Sequence, residues 1–289
     1  MEVNIIKTRA KSIYTPSRIP GVEWTVNQYV GCAFACSYCY AKFLTKWKDY
    51  GKWGSWVEVK VNAPELARKR VKGSVVMSTV SDPYQPIEAK LKLTRRVLQY
   101  MDKRNELSIL TKSPLVTRDI DLFRLFDRIE VGLTINGFRG REKRLFEPPL
   151  TPVQEARINA LKELKEAGLK TYVFVSPIIP EVTDISSIVE ETRDFADYYF
   201  FEVLNLRASG REFQRLLQEG GYPEIYEILT DDGKFGKFVE KLRREIKELG
   251  VKTEGIETHK RVGSLLKFET TSINPPHPPH LAQLQPLHY

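Results

Sequence analysis

Three cysteines lie within eight residues, at Cys32, Cys36 and Cys39, and the chain has no others. Their spacing is C-x3-C-x2-C. Thiolates are soft ligands that suit zinc and iron–sulfur clusters. Clusters with purely structural or electron-transfer roles usually take four cysteines. Three would leave one iron of a [4Fe–4S] cube without a protein ligand, much as a catalytic zinc keeps an open position. Such an iron can hold a small molecule. A structural zinc would need a fourth ligand, and His259 is the one histidine outside the C-terminal tail. The crowding of the three cysteines argues against a disulfide framework.

The surrounding sequence must hold that loop in place. Apolar, β-branched runs at 23–30, 74–79, 107–111, 129–135, 169–175 and 198–204 predict strands. Helical periodicity predicts helices over 40–50, 87–103, 120–126, 151–167, 184–195 and 235–249. Residues 56–61 and 251–256 predict additional short strands. The alternation implies an α/β fold: a parallel sheet of six βα units, closed or half-closed into a barrel. The cysteine loop falls between the first strand and the first helix, whose positive end favours thiolates. Chemistry in such barrels collects at the C-terminal ends of strands. Those ends carry Ser81-Asp82-Pro83, Lys112-Ser113 and Thr134-Ile135-Asn136, with Glu147-Pro148-Pro149 and Arg157 beyond.

The pattern C-x3-C-x-aromatic-C at the end of a first strand resembles the radical S-adenosylmethionine superfamily. The resemblance implies a TIM-like partial (β/α)6 barrel with small extensions. It implies a [4Fe–4S] cluster held by Cys32, Cys36 and Cys39, with S-adenosylmethionine chelated at the open iron. Reductive cleavage of that cofactor yields a 5′-deoxyadenosyl radical that abstracts hydrogen from a substrate. An external electron donor of the ferredoxin or flavodoxin type is then required. The strand-end strings over residues 22–180 resemble, within that superfamily, the spore-photoproduct-lyase-like group. By that likeness Tyr38 borders the adenine, and Ser81 and Asp82 contact the amino-acid or ribose portion. Lys112 and Arg157 face the carboxylate, and Thr134 and Asn136 bond the ribose or carboxylate. One departure concerns the lyase reaction. Where that lyase has a hydrogen-returning cysteine, two residues before the Ser-Asp pair, this chain has Thr79. Tyr40 and Tyr84 are candidate radical relays or packing residues, and no catalytic residue is assigned.

Lys and Arg exceed Asp and Glu by 45 to 37, a net charge of +8. That surplus is compatible with a nucleic-acid partner. The cluster Arg139, Arg141, Lys143 and Arg144, flanked by Phe138 and Phe146, has the basic–aromatic mix of single-strand binders. Asn205, Arg207 and the stretch Glu257-Thr258-His259 are candidates for the substrate side. A non-catalytic zinc or iron–sulfur protein that binds nucleic acid is the alternative. No segment reads as a signal peptide or membrane helix, so a cytoplasmic monomer is expected. The expected division is an N-terminal extension (1–21), the barrel (22–258) and a C-terminal extension (259–289) with a Pro- and His-rich tail.

Overall fold

The computed structural model describes residues 3–19 and 21–260. The expected Pro/His-rich tail lies outside the described residues. The strands are β1 (Asn4–Thr8), β2 (Tyr14–Pro16), β3 (Trp24–Val26), β4 (Tyr29–Val30), β5 (Trp56–Lys60), β6 (Ser74–Met77), β7 (Glu106–Thr111), β8 (Ile129–Thr134), β9 (Lys170–Ile178), β10 (Tyr198–Val203) and β11 (Thr253–Glu257). Eight of them form one sheet in the order β11-β10-β9-β8-β7-β6-β3-β2. All neighbours in it are parallel except β2, which runs antiparallel to β3. The order follows the chain from β6 to β11, as successive βα units require. This is the expected partial barrel.

Both faces of the strands are apolar, as in a sheet covered on both sides. Val131, Leu133, Val173, Val175, Tyr199 and Phe201 belong to the main core, with Leu161, Leu164, Ile188, Val189, Leu242 and Ile246 from the helices. The alternate residues Tyr172, Phe174, Tyr198 and Phe200 form a second cluster with Leu110. Gly132 makes room for it, since a Cβ there would lie 2.2 Å from the Tyr172 ring.

Several elements depart from their sequence expectations for local reasons. The run 23–30 is two strands in two sheets. At its midpoint the Asn27 side chain accepts the backbone N–H groups of Thr79 and Val80. The chain turns there, and β4 pairs antiparallel with β5. The helix expected over 87–103 breaks at Lys92, which has φ +50°. The Glu88 carboxylate accepts the N–H groups of Thr94 and Arg95 and so caps the second piece, Leu93–Tyr100. The segment after the cysteines is a short 3-10 helix, Tyr40–Lys46. Residues 206–230, read as no element, hold three short helices. The N-terminal segment is paired into the body, β1 parallel to β5 and β2 against β3.

Gly31 is the hinge between β4 and the cysteine loop. Its φ is +84°, and a Cβ would meet the Trp56 ring at 2.7 Å and the Trp56 carbonyl oxygen at 2.9 Å. Trp56 is fully buried. Gly31→Ala therefore combines backbone strain with overpacking and is expected to cost about 2 kcal/mol or more. Urea denaturation measures this, and a variant as stable as the native chain would contradict the close approach.

Candidate active site

The cysteine loop is clamped from two sides. Gln85, fully buried, accepts the N–H of Ala33 at 2.9 Å and donates to the carbonyl of Gly31 at 3.1 Å. Opposite, Thr151 Oγ1 donates to the Phe34 carbonyl at 3.2 Å, and both Ser37 N–H and its hydroxyl donate to the Phe146 carbonyl. Ala35 has φ +53° and packs where a Cβ on Gly54 would otherwise fall, 2.2 Å away.

Within the loop all three thiols are free, Cys32 and Cys36 buried and Cys39 partly so. Burial pushes all three above the ordinary thiol range, helped by the negative charge of Asp82 at Cys32, of Glu147 at Cys36 and of Cys36 at Cys39, which stands at about 12. Thiols in such a place ionise only when a cationic centre compensates them. Among the described residues, no three His, Cys, Asp or Glu side chains gather to hold one metal ion. A donor set with one thiolate for each of several irons fits this better than a single zinc. His259 is not gathered with the three cysteines as the fourth ligand of a zinc site would be; its Nε2 lies 2.9 Å from Glu202 Oε1.

A buried carboxylate that carried no role in the sequence reading organises the nearby strand ends. Glu147 is 1 % exposed. Its Oε1 accepts from Asn136 Nδ2 at 2.9 Å and from the Tyr38 hydroxyl; its Oε2 accepts from Arg157 Nη2. Burial alone would raise its pKa, but the charges of Arg157 and Lys112 outweigh that and hold it at about 2. Arg157, equally buried, donates in addition to the carbonyls of Thr134 and Pro152. The structure thus brings together Tyr38, Asn136, Arg157 and the Thr134 carbonyl. Asn136 and Arg157, expected to face a cofactor, direct these bonds into the protein.

Asp82 behaves similarly. Its carboxylate accepts Thr111 Oγ1 at 2.6 Å, Tyr84 N–H at 2.8 Å and Lys112 N–H at 2.8 Å, tying the ends of β6 and β7 together. Burial pushes its carboxyl up against the pull of those bonds. Ser81 Oγ donates to the Tyr29 carbonyl at 3.2 Å. The Lys112 ammonium stands 5.7 Å from the Tyr38 ring centre and favours the thiolates of Cys36 and Cys39. Beneath the Ser81–Gln85 loop, Tyr29 donates to Glu88 and Tyr84 to Asp119, while Arg118 bridges both carboxylates. Tyr40 donates to the Thr79 carbonyl. Both candidate relay hydroxyls are therefore held by protein acceptors.

The far flank of the mouth holds a cluster at the ends of β9, β10 and β11. Ser176 Oγ donates to Glu202 Oε2, and His259 meets Glu202 Oε1. The His259 N–H donates to Glu257 at 2.8 Å. Its signal in the sequence was the isolated histidine; that of Ser176 and Glu202 was only their place on strands. Asn205 caps the helix Leu206–Ser209 by accepting the Ala208 N–H. The expected basic–aromatic face at 138–146 is not formed. Phe138 and Phe146 are core residues. Arg139 pairs with Glu191, Arg141 donates to the Gly220 carbonyl, and Lys143 donates to the Thr151 carbonyl.

Comparisons with known proteins agree with this geometry. The profile of the Radical SAM superfamily matches residues 26–196. An uncharacterised protein of Methanocaldococcus jannaschii is 51 % identical over 259 residues, covering 89 % of this chain and 99 % of its own. An uncharacterised protein of Acidianus two-tailed virus is 30 % identical over 213 residues, covering 66 % of this chain and 70 % of its own. Spore photoproduct lyase complexed with dinucleoside spore photoproduct superposes with a TM-score of 0.61 at 18 % identity, over 87 % of this chain and 82 % of that one. A variant of that lyase with bound AdoMet and the same dinucleoside gives 0.55 at 17 % identity, over 89 % and 82 %.

Two outcomes follow from the buried charges. Glu147→Gln keeps the shape but strands the Arg157 cation, and is expected to cost roughly 3–5 kcal/mol in urea denaturation. Glu147→Leu combined with Arg157→Met should recover most of it; a single-variant loss below about 1 kcal/mol would refute the pairing. For His259, burial pushes the imidazole down, but Glu202, with Glu257 behind it, outweighs this and holds it above the ordinary 6.5. The pair's stability is therefore complete below that ordinary value and is lost as pH rises through the higher folded value. His259→Gln should flatten that decline in Tm from mildly acid to alkaline pH, whereas parallel native and variant profiles would exclude the pairing.

Proposed function

The chain belongs to the radical SAM superfamily, and on that premise we propose that it starts a radical reaction on a substrate bound over the mouth of the partial barrel. Its cofactors are a [4Fe–4S] cluster and S-adenosylmethionine. When bound, they supply an electron and a 5′-deoxyadenosyl group that takes hydrogen from a substrate. The observation that carries the reading is the clamped loop with three free thiols at the strand ends, one short of a fully ligated cube.

The roles of this chain's residues follow from their positions. Cys32, Cys36 and Cys39 hold the cluster. Lys112 places positive charge beside the thiolates and is available to a carboxylate. Asp82 holds the backbone of Lys112, and Ser81 and Thr134 stand at the neighbouring strand ends for the ribose and amino-acid portions. Tyr38 borders the cofactor, with its ring orientation set by Glu147, Asn136 and Arg157. Burial of the loop keeps water from the reacting centre.

A nucleic-acid substrate is the class we favour. The chain carries a net charge of +8, and spore photoproduct lyase, which shares its fold, binds a dinucleoside. The reaction differs in one step. Thr79 stands where that lyase uses a cysteine, and a hydroxyl is a poor hydrogen-atom donor beside a thiol. A reaction that ends, as that lyase's does, with hydrogen returned to the substrate would draw it here from another group.

Anaerobic reconstitution is expected to load about four irons per chain, and dithionite with S-adenosylmethionine to release 5′-deoxyadenosine. Replacing any of the three cysteines by Ala should abolish both. Added DNA or RNA should raise the rate of release if a nucleic acid is the substrate. Iron-loaded native protein that releases none would defeat the proposal.

A further inference from the structure

Beyond Tyr40, the segment after the cysteine loop takes no part in the networks above, yet it lies directly against the thiols. Trp53 packs on the group formed by Cys32, Phe34 and Cys36. Trp53 meets Trp56 edge-on at 6.2 Å, and Trp56 meets Tyr50 at 5.3 Å. The Lys42 ammonium donates to the Ser37 carbonyl inside the loop. Outside this aromatic layer the surface is basic, with Lys42, Lys46, Lys48 and Lys52 against Asp49 alone between residues 42 and 52. Lys46 and Lys52 are exposed, and Lys48 is paired with Glu58. Between them Trp47 is 67 % exposed, the highest value among the large apolar side chains of the described residues.

A large exposed aromatic between two exposed lysines has the composition of a binding hot spot with a charged rim. Its charge selects an acidic partner. Its place, at the C-terminal end of the 3-10 helix that begins directly after Cys39, in a segment whose Trp53 packs on the thiols, selects a partner whose business is with the cluster. We propose that residues 42–52 are the docking surface for a small acidic electron-transfer protein of the flavodoxin or ferredoxin class. Trp47 forms the centre of that contact, and Lys46 and Lys52 meet carboxylates at its rim. In the step served, the carrier is oxidised by one electron and the cluster is reduced by one, with no bond made or broken. Such encounters are small and transient, and rim charges set their rate and salt dependence. The inference rests on the radical-enzyme reading above.

The test uses the full reconstituted chain and two reductants. Oxidised flavodoxin serves as the binding probe in calorimetry. The double variant Lys46→Glu/Lys52→Glu, and separately Trp47→Ser, should bind it roughly tenfold more weakly at low salt. For the charge variant the difference should shrink as the Debye length falls below about 10 Å. 5′-Deoxyadenosine release driven by reduced flavodoxin should fall with binding, while release driven by dithionite stays native. Equal binding of flavodoxin by native chain and variants overturns the docking surface. So does gel filtration in which the variants dissociate a native dimer, because the patch would then face a second copy. No release from the native chain with dithionite overturns the radical-enzyme reading instead.

Discussion

Glu147 and Arg157 form an ion pair in a place where neither charge could stand alone. Each ion taken out of water costs several kcal/mol unless its partner and its hydrogen bonds compensate. Here the compensation is extensive. Arg157 reaches Glu147 and the carbonyls of Thr134 and Pro152, and Glu147 also takes Asn136 and Tyr38. The pair joins the end of β8, the helix Gln154–Glu166 and the aromatic residue before the third cysteine. Moving any one of these would expose a buried charge to an apolar wall. The tilt of Tyr38, and the third cysteine beside it, are therefore set by electrostatics and not by the loop's own preferences.

The same device recurs on the other side of the loop. Glu88 and Asp119 are fully buried and share Arg118. Through Tyr29 and Tyr84 they brace the segment that carries Gln85 against the cysteine loop. The flank of the mouth made by β3, β6, β7 and β8 is thus held by two ionic frameworks. The flank made by β9, β10 and β11 is built differently. Lower in those strands buried rings pack on one another, Tyr172 stacked on Tyr198 at 5.0 Å and Phe174 tilted on Phe200 at 5.5 Å, and at the strand ends stand Ser176, Glu202 and His259. A fixed flank suits an invariant cofactor.

Much of this could be read from the residue string, and the limits have physical causes. Buried parallel strands appear as continuous apolar runs, so β6 to β10 were found close to their observed bounds. Three cysteines in one loop state their chemistry by count and spacing. Breaks made by side chains were not visible. The turn at Asn27 depends on Thr79, 52 residues away, and the break at Lys92 depends on a carboxylate folding back on its own helix. The cofactor contacts come from the family resemblance of the strand-end strings, and a resemblance of strings does not say where a side chain points. Asp82, Asn136 and Arg157 are at the mouth, but they bond inward. Glu147 was passed over because a glutamate before two prolines resembles any loop, and only the fold sets Arg157 opposite it.

The most consequential single position is Thr79. It closes β6 beside the cysteine loop. Asn27 donates to its hydroxyl at 3.2 Å and accepts its N–H at 2.9 Å, and Tyr40 donates to its carbonyl. Every polar group of the residue is thereby part of the joint between β3, β6 and the segment after the cysteines. A thiol there would accept the Asn27 bond more weakly, because sulfur is a poor acceptor. The threonine thereby strengthens the scaffold at this joint. Membership of the radical SAM superfamily gives the chain its cluster and S-adenosylmethionine, and Thr79, with its N–H, hydroxyl and carbonyl all engaged, belongs to the frame around the loop that would hold them.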